Sequence, residues 1–119
     1  MALTSDSEKK TVAQILETEF SEDFVAKMKN RMAQSYFKYG TVKGTFLKVD
    51  HIAGLKERIK RYEEDGNTEW LVDAANMSMI EYMIPAHPKA HFGAPSSEES
   101  PGRVDKRTGE FTQRANKLL

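Results

Sequence analysis

The chain reads as an all-α protein, a small bundle of three to four helices with an extended C-terminal arm. Three observations point there. Apolar residues recur at helical spacing in four successive stretches before Pro85, while all four prolines fall between Pro85 and Gly102. Helix-capping residues stand ahead of those stretches, and Gly40 and Gly66 stand behind two of them. At 119 residues and 13.5 kDa the chain is long enough for one domain only. Its organisation divides into an N-terminal helical arm (1–20), a helical core (21–84) and an extended or partly disordered arm (85–119).

Composition narrows the function classes. Eighteen basic and eighteen acidic residues balance to a formal charge of zero, which argues against a nucleic-acid binder relying on a net basic surface. Hydrophobic content of 39% and a mean hydropathy of −0.64 are low for a compact globule, so part of the chain is expected outside the core or packed on a partner. The absence of cysteine excludes disulfides, thiolate catalysis and cysteine-held zinc. No apolar run reaches the ~18 residues of a membrane span, and Met1 to Lys10 carries no signal-peptide core. The expectation is a cytoplasmic protein that engages neither membrane nor nucleic acid.

The first helix is predicted from Ser5 to Phe20, with Ser5 and Glu8 as a capping box and Val12, Ile15, Leu16 and Phe20 as one narrow apolar stripe. The second begins at Ser21, carries Glu22 and Asp23 in its first turn, and stops at Gly40 as a left-handed C′ residue. Phe24, Val25, Met28, Met32, Tyr36 and Tyr39 share its broad apolar face. A loop from Thr41 to Val49 leads to Asp50, which caps a helix over His51 to Asp65 with Ile52, Leu55, Ile59 and Tyr62 as its seam. Glu57 and Arg61 form an i, i+4 pair on its charged side. Gly66 ends this helix and Asn67 or Thr68 caps the next, a short join that forces an antiparallel αα-hairpin.

The fourth helix, Glu69 to about Ile84, is apolar on nearly every side and is therefore the central one. Three chemically distinct groups break the pattern of the core. Lys27, Arg31, Gln34 and Lys38 line up along the second helix, beside Tyr36 and Tyr39. Arg31 suits a ligand phosphate as a planar fork, the lysines as point charges, and a tyrosine as a stacking surface for a base or ribose. Glu69, Asp73 and Asn76 form a second polar stripe, readable as hard oxygen ligands, as partners for ribose hydroxyls, or as the solvent-facing strip of a buried helix. His87 and His91 are four apart, but Pro88 denies them the helix that a metal pair at that spacing needs. No nucleophile elbow and no phosphate-binding glycine loop is present, so neither a catalytic nor a metal residue is assigned. In the arm, Ser96 to Ser100 is a Ser/Glu run, and Arg103 to Leu119 reads at most as a frayed helical end.

The strings KMKNRMAQSYFKYG, YEEDGNTEWLVDAANMSMIEYM and HPKAHF, followed by SEESPGR, resemble a set of small uncharacterised phage and prophage proteins. That resemblance implies the cytoplasm of a bacterial host and no set activity. A second resemblance is to the all-α nucleotide pyrophosphohydrolases of MazG type, which are dimeric or tetrameric and hold Mg²⁺ on an E-E-x-x-E helix and an E-x-x-D helix. Here Glu69 and Asp73 are four apart rather than three, and the earlier helix carries Lys27, Arg31 and Lys38 where glutamates belong.

Three functions follow as expectations. The first is a non-enzymatic binder that sequesters a phosphorylated, nucleotide-like small molecule, as an anti-defence sponge would, with no cofactor. Its contact set is Lys27, Arg31, Gln34, Tyr36, Lys38, Glu69, Asp73 and Asn76. The second is a Mg²⁺-dependent nucleoside triphosphate pyrophosphohydrolase, using Glu69, Asp73 and Glu81. The third is an adaptor that clasps a host protein through its N-terminal helix and C-terminal arm. A homo-oligomer, dimer or tetramer, is expected because three core helices, one of them apolar on nearly every side, leave too few partners inside one chain.

Overall fold

A computed structural model describes residues 9–45, 48–96 and 98–112. Five helices and one short hairpin follow in order: α1 (Val12–Glu19), α2 (Glu22–Tyr39), α3 (Val42–Thr45), α4 (His51–Asp65), α5 (Glu69–Met83), β1 (Arg103–Val104) and β2 (Phe111–Thr112). The all-α reading holds, and the chain separates into two units, Met1–Ala86 and His87–Leu119.

In the first unit each helix is bounded by the chemistry of its own ends. Thr11 caps α1 in a reciprocal box: its Oγ1 accepts from the Gln14 amide at 3.2 Å, and its own amide donates to Gln14 Oε1 at 2.8 Å. The helix thus starts later than the Ser5–Glu8 signature suggested. Those two residues lie outside the described ones, while Lys9 and Lys10 are not helical. Ser21 caps α2 through the Phe24 amide at 3.0 Å, as expected from its sequence position. Gly40 ends α2 with its amide on the Tyr36 carbonyl at 2.8 Å. Its φ of 89° and ψ of −160° place it outside the left-handed helical well, in a region open only to glycine.

The Thr41 to Val49 connection, expected as a loop, contains the single turn α3, whose start is capped by Thr41 Oγ1 accepting the Gly44 amide at 3.0 Å. Asp50 caps α4 at 2.9 Å, and Gly66 closes it in the left-handed conformation, φ 72° and ψ 10°. Asp65 and Asn67 then organise the turn. Asp65 Oδ1 accepts the Asn67 amide, Asn67 Oδ1 accepts the Glu69 amide, and the Trp70 indole donates to Asp65 Oδ2 at 3.0 Å. Thr68 makes no side-chain cap, so the capping group is the Asn67 side chain.

The hairpin of α4 and α5 is the main packing of the unit. Its antiparallel register is written in three facing pairs. Arg61 lies over the Trp70 ring, Arg58 faces Asp73, and Gly54 meets Met77. Helix α2 also packs on α5, meeting α4 across a shared cleft at Asp73. Helix α5 carries Val72, Ala74, Asn76 and Ile80, four of the five buried residues described, and His51 at the start of α4 is the fifth. Trp70 and Met77 are half-buried. The helix apolar on nearly all sides is the central one, because only the middle position lets opposite faces leave water together. Among the described residues no helix is long and apolar enough to cross a membrane.

In the second unit, Arg103 to Thr112 is a two-stranded antiparallel hairpin rather than a frayed helical end. Val104 pairs with Phe111 and Arg103 with Thr112. The reason lies in the turn. Gly109 supplies a positive φ of 73° and donates to the Asp105 carbonyl, while the Asp105 carboxylate takes the Arg107 amide at 2.7 Å. The Arg107 side chain and amide hold that carboxyl below its usual range. Upstream, Ser96 and Glu99 cap each other reciprocally, which gives the Ser/Glu run a turn.

Candidate functional site

Where α2 crosses α5, the basic and acidic stripes meet. Arg31 grips Asp73 with a planar fork, Nε to Oδ1 and Nη2 to Oδ2, both at 3.1 Å. Its third nitrogen, Nη1, reaches Glu69 Oε1 at 2.7 Å. These two carboxylates, the bonded one foremost, hold the Arg31 guanidinium above its already high usual pKa, so it stays cationic at any working pH. One turn further on, Asn76 is 4% exposed and donates from Nδ2 to the Met28 carbonyl at 3.1 Å. The stripe of Glu69, Asp73 and Asn76 is therefore not a solvent strip. It turns inward against α2, with exposure falling from Glu69 to Asp73 to Asn76.

Helix α4 adds a second guanidinium. Arg58 donates through Nη1 to the Gly54 carbonyl at 3.0 Å, and its Nε lies 4.0 Å from Asp73 Oδ2, too far for a hydrogen bond. Two buried atoms here have no hydrogen-bond partner, Arg58 Nε and Asn76 Oδ1. An unmet donor and an unmet acceptor a few ångströms from an ion pair are costly in a folded protein.

These groups open onto a cleft of about 240 Å³ lined by Arg31, Gln34, Ser35, Lys38, Tyr39, Arg58, Asp73 and Asn76 over a floor of Met32, Met77 and Ile80. Lys38 Nζ sits 5.3 Å from the centre of the Tyr39 ring. Arg31, Gln34, Lys38, Asp73 and Asn76, named from sequence, are thus brought together. Lys27 and Glu69 are not. They line a second cleft on the far side of Arg31, with Asn30, Asn67, Thr68 and Val72, and Lys27 is bound there to Asp23 at 2.6 Å. Tyr36 lines neither cleft. It is 56% exposed, edge-on to Phe37 with ring centres 5.5 Å apart.

Sequence reasoning missed Arg58 and Ser35. Arg58 had a signal. In a hairpin turning at Asp65 and Gly66, residues equidistant from the turn face each other, and Arg58 and Asp73 stand at equal distance from it. Ser35 had none, since a small polar residue beside a helix seam is ordinary. Among the described residues no three histidines or acids gather as metal ligands. Glu69 and Asp73 are committed instead to Arg31, while Glu81, the third acid of α5, accepts the Ala86 amide at 2.8 Å.

No known protein family, curated protein or solved structure matches the chain, so the geometry of this cleft is what speaks to its function.

Proposed function

We propose that the cleft between α2, α4 and α5 binds a phosphorylated, nucleotide-like small molecule without turning it over. The observation that carries this reading is the pair of cations on the cleft wall, Arg58 and Lys38, neither of them hydrogen-bonded to a carboxylate among the described residues. Arginine forks and a lysine point charge are the common protein partners of phosphate oxygens. Tyr39, exposed at the edge, offers a ring for a base or sugar, and Gln34, Ser35 and Asn76 offer both donors and acceptors. Mg²⁺-dependent hydrolysis has less support, because Glu69 and Asp73 already neutralise Arg31 and a metal ion would have to displace it.

The test is titration of the protein with adenosine 5′-monophosphate, followed by amide chemical shifts. Shifts centred on Arg31, Lys38 and Arg58 are expected, with Lys38→Ala weakening binding about tenfold, the scale of one charge-assisted contact. Shifts confined to the His87–Thr112 hairpin region, or none, would overturn the reading.

A second copy of the chain is the proposed partner of the exposed apolar surface. Val12, Ile15, Leu16 and Phe20 of the α1 stripe are 43–71% exposed, and Tyr36, Phe37 and Tyr39 at the end of α2 are 56–85% exposed. Among the described residues no side chain is fully buried, and only Val72, Ala74 and Ile80 form an apolar core. A core that small does not stabilise a domain of this length by itself. A net charge of zero offers no repulsion between copies.

A further inference from the structure

The charge of the cleft also discriminates among phosphates. We infer that it selects a terminal phosphate monoester, a dianion, over a phosphodiester carrying one charge; this rests on the nucleotide reading above. Of the cations lining the cleft, Arg31 is taken up by Asp73 and, from outside, by Glu69, which leaves Arg58 and Lys38 as two cations with no hydrogen-bonded carboxylate among the described residues. Glu69 touches Arg31 from outside this cleft, at 2.7 Å, so Arg31 is not counted among the uncompensated cations.

The three cations are not equivalent. Arg31 has two of its edges committed, to Asp73 and to Glu69. Arg58 has spent one nitrogen on the Gly54 carbonyl and leaves Nε without an acceptor, with Asp73 at 4.0 Å as the nearest negative charge. Lys38 has only the Tyr39 ring. The uncompensated charge therefore lies on the Arg58 and Lys38 side, where α2 and α4 face each other across the cleft. A phosphate with two charges and three free terminal oxygens can accept from Arg58 and Lys38 at once and supply each with a counter-charge. A phosphodiester brings one charge and two free oxygens, so it leaves one cation uncompensated in a site partly shielded from water.

A dianionic ligand also brings a pH response of its own. The second proton of a phosphate monoester binds with a pKa near ~6. No histidine lines the cleft; the ionisable groups facing it are Arg31, Lys38 and Tyr39 from α2, Arg58 from α4 and Asp73 from α5. A loss of affinity between about pH 7.5 and pH 5.5 then reports the ligand's own protonation.

The experiment compares adenosine 5′-monophosphate with adenosine 3′,5′-cyclic monophosphate, the same base and sugar with two charges or one, by calorimetry on the full chain at about pH 7.5 and pH 5.5. The monoester is expected to bind at least tenfold tighter at the higher pH and to lose most of that advantage at the lower. Lys38→Ala should bring the two ligands together by weakening the monoester alone. Equal affinity for both nucleotides at both pH values would overturn the selection for a dianion while leaving nucleotide binding intact. Tighter binding of the cyclic ester would do the same. No binding of either nucleotide would overturn both readings.

Discussion

Arg31 and Asp73 are joined by two parallel hydrogen bonds of 3.1 Å, and this fork is the principal polar link between α2 and α5. Arg31 is 40% exposed on its side chain and Asp73 only 13%, so the carboxylate is the partner that depends on the pair. Arg31→Ala would leave Asp73 facing Arg58 at 4.0 Å alone. The expected loss is about 1–2 kcal/mol in urea unfolding, below the cost of breaking a fully buried pair because Arg31 is partly solvated. In the double variant with Asp73→Ala, the two losses should add to less than their sum. Strict additivity would show that the fork contributes nothing.

Gly54 of α4 sits against Met77 of α5. A Cβ built there would stand 3.2 Å from Arg58 Nη1 and 3.3 Å from Met77 Sδ, both ends of flexible side chains. Gly54→Ala should therefore change stability by less than about 1 kcal/mol, since the helix-propensity gain offsets the crowding. Gly54→Leu should cost about 1–3 kcal/mol, because no small shift of Met77 admits an isobutyl group. Thermal unfolding of the two variants checks the contrast.

Asp65 ties the end of α4 to Trp70 at the start of α5. The bond from the Trp70 indole, then the Asn67 amide, lowers the Asp65 carboxyl below its usual range. A carboxyl whose folded pKa is depressed favours folding above its unfolded value, and that contribution disappears as pH falls through the folded value. The Asp65 to Trp70 contact should thus survive acidification to below about pH 3.9, the unperturbed aspartate value, and break only in stronger acid. Tryptophan fluorescence reads it directly, because Trp70 is the chain's one tryptophan. In Asp65→Asn the acid transition should vanish from the Trp70 signal. A transition unchanged by that substitution would refute the assignment.

The apolar residues on α1 and at the end of α2 should bring copies of the chain together. Light scattering at micromolar concentration is expected to give a multiple of 13.5 kDa. Leu16→Glu and Phe37→Glu, at side chains 45% and 85% exposed, should shift the mass toward the single chain with little change in helical content. A wild-type mass of 13.5 kDa would refute self-association.

Much of this architecture was legible in the residues themselves, and the reason is locality. Ser21, Asp50 and Gly66 act on backbone groups within four residues, so their roles follow from sequence position alone. The same holds for the i, i+4 bond of Glu57 and Arg61, found at 2.9 Å. The central place of α5 was readable from its apolar periphery, and its antiparallel pairing with α4 from the short join at Gly66. Thr11 and Gln14 carry a local signal as well, but Ser5 and Glu8 offered a competing one upstream. Gly109 and Asp105, whose turn makes the hairpin, lay in a stretch too poor in apolar residues for periodicity to decide.

The site belongs to a different class of information. That Arg31 meets Asp73, that Arg58 joins them from a third helix, and that Lys27 and Glu69 fall on the other side of Arg31 all depend on where α2 crosses α5. Each helix shows its own stripe of charges in the sequence, but not the angle or register at which two stripes meet. Those are set by packing at the crossing, where Val72 lies beside Asn30 and Arg31 and Asn76 bonds the Met28 carbonyl, residues more than forty positions apart. Asn76 shows the difference most clearly. Its place on a polar stripe was visible in the sequence, whereas its burial at 4% exposure, with an amide on the Met28 carbonyl and an oxygen left unpaired, was decided only when the helices packed.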